Sequence, residues 1–342
     1  MSENSNKTPR DGASRRTQVV LNVILCVLIA AFVISAVVLI SYFANSKAEQ
    51  DKYDQDPNIS ALESIFNGYQ TGTDAPNDTT AAAPNDTTAA APNDTTTVSD
   101  TSETVAPDVE DTTLPSDTTT VLQEETTVPT ETTTVVTTAP KPPVYSDEFR
   151  LIRDNIKQLQ RMNPDIIGFI SIPALDVSYP LLHRESDTTN SFYMNLSYDC
   201  SPSAAGSIFM DYLCNRTIGA NKNTVIYGHN MKAGTMFAKL LPAYNSEKVF
   251  RETEVFVATL DGVYVYKFIS TYKTDTKDDY CRTNFSSDES FAAFYNSLLA
   301  KSKFDAGIDG MGLGKILTLS TCTNLTPDGR YAFHAVLVRI ET

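Results

Sequence analysis

The chain has 342 residues and a formal net charge of −15 at pH 7, distributed very unevenly: residues 1–50 carry +2, residues 51–140 carry −16 and residues 141–342 carry −1. Without a concentrated basic face in its longest part, it does not read as a nucleic-acid binder. Five scattered cysteines, three histidines and no CxxC pair exclude a disulfide scaffold and a structural zinc site.

Residues 1–18 hold Lys7, Arg10, Arg15 and Arg16 and read as a cytoplasmic N-terminus. Residues 19–43, Val19 to Phe43, are uncharged and almost wholly apolar. At 1.5 Å per residue they reach roughly 37 Å, enough to cross a bilayer once. The stretch exceeds the apolar core of a cleaved signal peptide, and no small-residue cleavage site follows, so it reads as an uncleaved signal anchor. Cys26 lacks the small preceding residue of a lipoprotein and reads as an apolar lipid-facing side chain. The remainder of the chain then lies outside the cell.

In the juxtamembrane segment 44–70, Ile59, Leu62, Ile65 and Phe66 have helical spacing that stops at Gly68. Residues 71–144 are dominated by Thr, Ala, Pro and Asp and carry an octad PNDTTAAA that starts at Pro76 and again at Pro84. Such a composition buries no core and reads as a disordered stalk holding the folded domain away from the membrane.

The folded domain is expected over 145–342. Ser146 caps a predicted helix whose Phe149, Ile152, Ile156, Leu159 and Met162 share a face. Eight β-branched or aromatic runs follow: IIGFISI, VSYPLL, GSIFMDY, NTVIYG, EVFVATL, GVYVYKFIST, KILTLST and RYAFHAVLVRI. They predict a mainly β barrel or sandwich. Residues 232–250 and 287–299 interrupt the pattern with helical periodicity and read as helices inserted in loops.

KILTLSTC ends an apolar strand on Cys322, where a rigid element can present a thiol to a cleft. A thiol is a strong nucleophile only as thiolate, so it needs a base or cation beside it. Arg330 opens the next strand after a short turn, and His229 closes the run TVIYGHN, with Gly228 allowing an unusual backbone path. Of the other histidines, His334 alternates inside the last strand and reads as structural, and His183 reads as a solvated loop residue. Cys200, Cys214 and Cys281 have no motif context; a Cys200–Cys214 pair stays open, since spacing alone does not establish it. Tyr280 and the aromatic helix around Phe291 to Tyr295 read as packing rather than as groove walls.

Together YGHNM, LTLSTCT and the arginine eight residues beyond the cysteine resemble the sortase family, most nearly its class B members. The resemblance runs over roughly 145–342, through NPDIIGFISIP, YPLL, TNSFYMN, GSIFMDY, YGHNMKAGTMF, LTLSTCTN and RYAFHAVLV. The helix predicted at 287–299 matches the insertion between the sixth and seventh strands that marks class B. His183 and Arg184 depart from the family's wording. The resemblance implies an eight-stranded sortase-type barrel and transpeptidation of surface proteins with an NPxT-like sorting signal. It implies Cys322 as nucleophile, His229 as proton shuttle and Arg330 as oxyanion stabiliser, helped by the Thr323 backbone N–H. It also places Asn190, Met194, Ser320 and Thr323 beside the signal peptide. The acceptor would be an amine of a peptidoglycan precursor or of another surface protein. No metal or cofactor is implied.

Two other classes compete. A cysteine protease can use the same Cys-His pair, but a papain-like enzyme places cysteine before histidine in a CGSCW-like context, and an L,D-transpeptidase has an SHGC-type run; neither is present. A non-enzymatic stalked binding domain would leave Cys322 as an inert core residue.

Overall fold

The computed structural model of the chain describes residues 11–70, 145–308 and 310–342. All eight predicted runs form strands: β1 (Ile166–Ile172), β2 (Val177–Leu182), β3 (Ile208–Met210), β4 (Asn223–Tyr227), β5 (Glu254–Thr259), β6 (Val263–Asp275), β7 (Ile316–Cys322) and β8 (Gly329–Glu341). They close into one barrel in the order β1-β2-β3-β4-β7-β8-β6-β5. Neighbours are antiparallel except at β2–β3 and β4–β7, which are parallel. The parallel β4–β7 pair requires a long crossover, and the chain from β5 through β6 and the following helix supplies it.

Among the described residues six α-helices accompany the barrel: α1 (Asp11–Gln55), α2 (Pro57–Gln70), α3 (Asp147–Met162), α4 (Leu241–Asn245), α5 (Glu247–Glu252) and α6 (Asp288–Lys301). Ser146 caps α3 through its side chain, accepting from the Phe149 N–H. This contact contributes about 1 kcal/mol in typical helices. Phe149, Ile152, Ile156 and Leu159 are buried, whereas Met162, expected on the same face, is 50% exposed in the final turn.

α6 buries Phe291, Phe294, Tyr295 and Leu298 against Ile269, Ile316 and Val336. Side chains alternate along a strand, so the face of β7 and β8 bearing Ile316 and Val336 is the outer face of the barrel there. The helix expected over 232–250 is broken. Residues 232–236 are not helical, Met236 has φ 57°, and helical turns begin only at Phe237. Pro242 sits in the first turn of α4, and Ser246 restarts the chain by capping α5.

The packed body begins before Tyr145. Asp56 accepts from the Asn58 and Ile59 N–H groups at the start of α2, and Pro57 occupies the first helical position, which needs no N–H partner. α2 then buries Ile59, Leu62 and Phe66, the Phe66 ring lying 5.5 Å from Phe256 and 6.2 Å from Phe169. The segment 71–144, read as a stalk, lies outside the described residues. Its two flanks, however, belong to one compact unit made of 1–73 with 144–342. Tyr69 packs on Phe256, and the Ser146 N–H donates to the Thr342 carbonyl.

Candidate active site

Strand register assembles the site. In the antiparallel β7–β8 pair Cys322 is opposite Arg330, Ser320 opposite Ala332 and Thr318 opposite His334. In the parallel β4–β7 pair Tyr227 is beside Ser320, and the Gly228 N–H donates to the Ser320 carbonyl. Two residues beyond Tyr227, His229 therefore comes level with Cys322, two residues beyond Ser320. Asn230 fixes the level by donating from Nδ2 to the Cys322 carbonyl at 2.8 Å, and Asn324 donates to the Asn230 carbonyl at 2.7 Å. Gly228 serves a different purpose from the one its sequence suggests. Its φ is not positive, but a Cβ there would stand 2.5 Å from Ile208 and 2.7 Å from the Phe237 ring.

These residues open into a cavity of about 340 Å³ on the outer face of the barrel. Asn190, Met194, His229, Ser320, Cys322 and Arg330 all line it. His229 Nε2 lies 2.8 Å from the Met194 carbonyl. A carbonyl only accepts, so Nε2 carries the proton and Nδ1 is the nitrogen left for chemistry. Arg330 donates from Nη1 to the Pro327 and Gly329 carbonyls, which hold the guanidinium at the strand start and leave Nε and Nη2 as its further donors. Asn190, with φ 54°, spends its amide on Asp211 and the Tyr212 N–H, so it shapes the wall rather than offering a free polar group.

Several wall residues are given no role at the site by the sequence reading. Tyr280, read as packing, lines the cavity and shares a hydrogen bond with Ser320 at 2.8 Å. Tyr227 donates to Asp211 at 2.7 Å, and burial pushes its phenol pKa far up. Cys281 is a second thiol in the wall, and burial pushes its pKa up to about 12. Tyr227 is legible as the opening residue of YGHNM, two residues before His229; Cys281 sits in an irregular segment that sequence periodicity does not order.

The sortase domain family matches residues 170–338. Sortase B of Staphylococcus aureus is 33% identical over 172 residues, covering 50% of this chain and 68% of that protein, and sortase B of Listeria monocytogenes matches to the same extent. The chain belongs to the sortase family. Among solved structures, a mutant form of Clostridium perfringens sortase B aligns with a TM-score of 0.51 and 27% identity, over 56% of this chain and 90% of that one. A sortase B complexed with triglycine aligns with a TM-score of 0.50 and 30% identity, over 55% and 87%. This sortase is thus a cysteine transpeptidase with class B relatives, and its closed eight-stranded barrel is the sortase fold.

Two readings, of Thr323 and His183, need correction within this sortase, and the open question of a Cys200–Cys214 pair is answered. Thr323 does not line the cavity: its N–H donates to the Gly329 carbonyl at 3.0 Å, closing the β7–β8 turn rather than facing an oxyanion. His183, expected in a solvated loop, is fully buried beyond β2; its N–H donates to the Asp165 carbonyl, and burial lowers its pKa. The cysteines are all free, and Cys214 is buried with its Sγ accepting from the Val225 N–H, away from a pairing with exposed Cys200. His334 is structural as read: it is fully buried between Thr318 (2.9 Å) and Tyr272 (3.3 Å).

Proposed function

We propose that this sortase is a membrane-anchored, class B-like enzyme that acts outside the cell, with its N-terminus in the cytoplasm and α1 as its single span. It cleaves a C-terminal sorting signal of NPxT-like sequence after the threonine and transfers the protein to an amine. The observation that carries the reading is the register of β4, β7 and β8, which sets His229 and Arg330 on either side of Cys322. Among the described residues, Thr17–Gln55 is the one helix long and apolar enough to cross a membrane, which supports the anchor.

In this mechanism the Cys322 thiol proton passes to His229 Nδ1, and the thiolate so formed attacks the threonine carbonyl carbon. The oxyanion that forms is met by the forked N–H donors of the Arg330 guanidinium. Collapse breaks the C–N bond as His229, from Nδ1, gives a proton to the departing amine, leaving a thioester on Cys322. An incoming amine attacks the thioester, His229 takes its proton, and the thiolate leaves. The sortase B relative complexed with triglycine supports a small peptide amine as acceptor. A peptidoglycan precursor or a surface-protein amine meets that requirement.

The test is the intact mass of residues 44–342 after mixing with NPxTG-type and NPxTN-type peptides, with Cys322→Ala as control. An adduct of the peptide's N-terminal fragment, absent from the control and discharged by triglycine, supports the reading and names the signal. Absence of an adduct with both peptides, together with an unreactive Cys322, overturns it.

A further inference from the structure

α1 runs without interruption from Asp11 to Gln55, about 67 Å at 1.5 Å per residue. Its apolar surface ends at Phe43. Immediately above that level, the face bearing Ser46, Glu49, Gln50 and Tyr53 turns onto the barrel. Glu49 accepts from the Ala204 and Ala205 N–H groups at 2.8 and 3.2 Å. Lys52 pairs with Asp199 at 2.9 Å, and Gln50 accepts from the Tyr179 hydroxyl. Tyr53 is buried and donates to the Gly206 carbonyl at 3.2 Å. The loop gripped in this way, 195–207, begins directly after Met194, whose carbonyl holds His229. Met231, two residues past His229, lines the same crevice as Tyr42, Asn45 and Ser46.

The anchor therefore grips the end of the barrel that carries the cavity. α2 then leads away from that end, from Asp56, bonded by Tyr198, to Tyr69, whose hydroxyl meets Glu341. Glu341 ends β8, the strand on which Arg330 stands second, so the two residues are about 36 Å apart along the strand, eleven residues at about 3.3 Å each. Met231 and Ala204 touch helix residues only one or two turns above the last apolar one, roughly 10 Å or less along the axis. On the same side Leu325 is 74% exposed in the β7–β8 turn, which Asn324 ties to Asn230, and Lys232 is exposed beside Met231.

We infer that α1 holds the catalytic end of the barrel against the outer bilayer interface, with Leu325 and Lys232 in the headgroup layer, so that the cavity takes polypeptide lying directly above the lipid. The inference rests on the reading of α1 as a membrane anchor. An exposed leucine with a neighbouring lysine suits this layer, where an apolar side chain reaches acyl carbons and a cation meets lipid phosphate. Anchor and barrel are joined by a buried tyrosine and several hydrogen bonds, not by a linker, so the orientation is built into the fold.

The chain contains no tryptophan, which makes single-tryptophan variants clean depth probes. The full chain is reconstituted in phosphatidylcholine–phosphatidylglycerol vesicles with acyl chains brominated at shallow or deep positions. The four variants are Phe32→Trp in the apolar part of α1, Leu325→Trp, Lys232→Trp and, at the far barrel end, Ile340→Trp, each first shown to form the peptide adduct in detergent. Quenching of Phe32→Trp by deep bromines, of Leu325→Trp and Lys232→Trp by shallow bromines, and of Ile340→Trp only by aqueous iodide is the expected pattern. If Phe32→Trp is quenched while Leu325→Trp and Lys232→Trp behave like Ile340→Trp, the anchor stands and the orientation is wrong. If Phe32→Trp escapes quenching, the anchor reading fails and the inference fails with it.

Discussion

Cys322 and Arg330 face each other as cross-strand partners on β7 and β8, one at the end of its strand and the other near the start of the next. Both side chains thus ride on the barrel wall, and the Pro327 and Gly329 carbonyls pin the guanidinium. A preorganised donor of this kind, aimed where charge develops, contributes about 10²–10³ in kcat when it serves an oxyanion. Arg330→Ala is expected to lower kcat by roughly that factor with little change in KM. Arg330→Lys is expected to recover only part of it, because a point charge does not reproduce the fork. Steady-state transpeptidation of a fluorogenic signal peptide measures both; an unchanged kcat in Arg330→Ala would remove the arginine from the mechanism.

Two thiols share the cavity wall, and they are expected to behave differently. Cys281, with a pKa pushed up to about 12 by burial, stays protonated at neutral pH and should resist alkylation in the folded enzyme. Cys322 should be the cavity thiol that iodoacetamide modifies, and its modification alone should abolish transfer. Peptide mapping after brief labelling at pH 7.5 reads this directly. Preferential labelling of Cys281 would count against Cys322 as nucleophile.

The strands, and the strand ends that bring His229, Cys322 and Arg330 to one cavity, are legible because their signals are local. Each strand run is bounded by turn residues, and the YGHNM and LTLSTCT wording places His229 and Cys322 at strand ends. What was hidden depends on contacts far apart in sequence. Tyr280 and Cys281 enter the wall only because the β6–β7 connection folds across the outer face, and His183 is buried only because chain beyond β2 closes over it. Thr323 looked available until the turn to Gly329 consumed its N–H. The juxtamembrane periodicity was visible, but what α2 covers was not: a long Thr, Pro and Asp segment separates it in sequence from Phe169 and Phe256, the rings it meets in space.

That packing makes α2 part of the stable body. Phe66→Ala is expected to cost about 3–5 kcal/mol, the usual range for emptying a buried phenylalanine site. A fragment of residues 145–342, which lacks the helix, should be destabilised by more, since Ile59, Leu62 and Phe66 all leave together. Urea melts of 44–342, its Phe66→Ala variant and 145–342 rank the three. Equal midpoints for the two fragments would mean that α2 rests on the barrel without stabilising it.

His334 sets an acid limit on the fold. Asn223 Nδ2 donates to the Arg282 carbonyl, so Asn223 Oδ1 must accept, and it does so from Thr318. With its only proton spent, Thr318 Oγ1 accepts from His334 Nδ1–H, and Nε2 accepts from the Tyr272 hydroxyl. The network therefore wants a neutral ring, and burial, reinforced by Lys301 and opposed by Asp278, lowers the pKa to about 3. Above an unfolded-state pKa of about 6.5 neither state binds the proton and His334 adds no pH dependence. Between about 6.5 and 3 only the unfolded chain binds it, so stability falls with decreasing pH by up to about 1.4 kcal/mol per unit. His334→Phe should be less stable at pH 7.5, because it strands Thr318 and Tyr272, yet should lose less on acidification. Urea unfolding of both proteins at pH 7.5, 6 and 4.5 is expected to show the gap between them narrowing as pH falls, and a constant gap would place the acid sensitivity elsewhere.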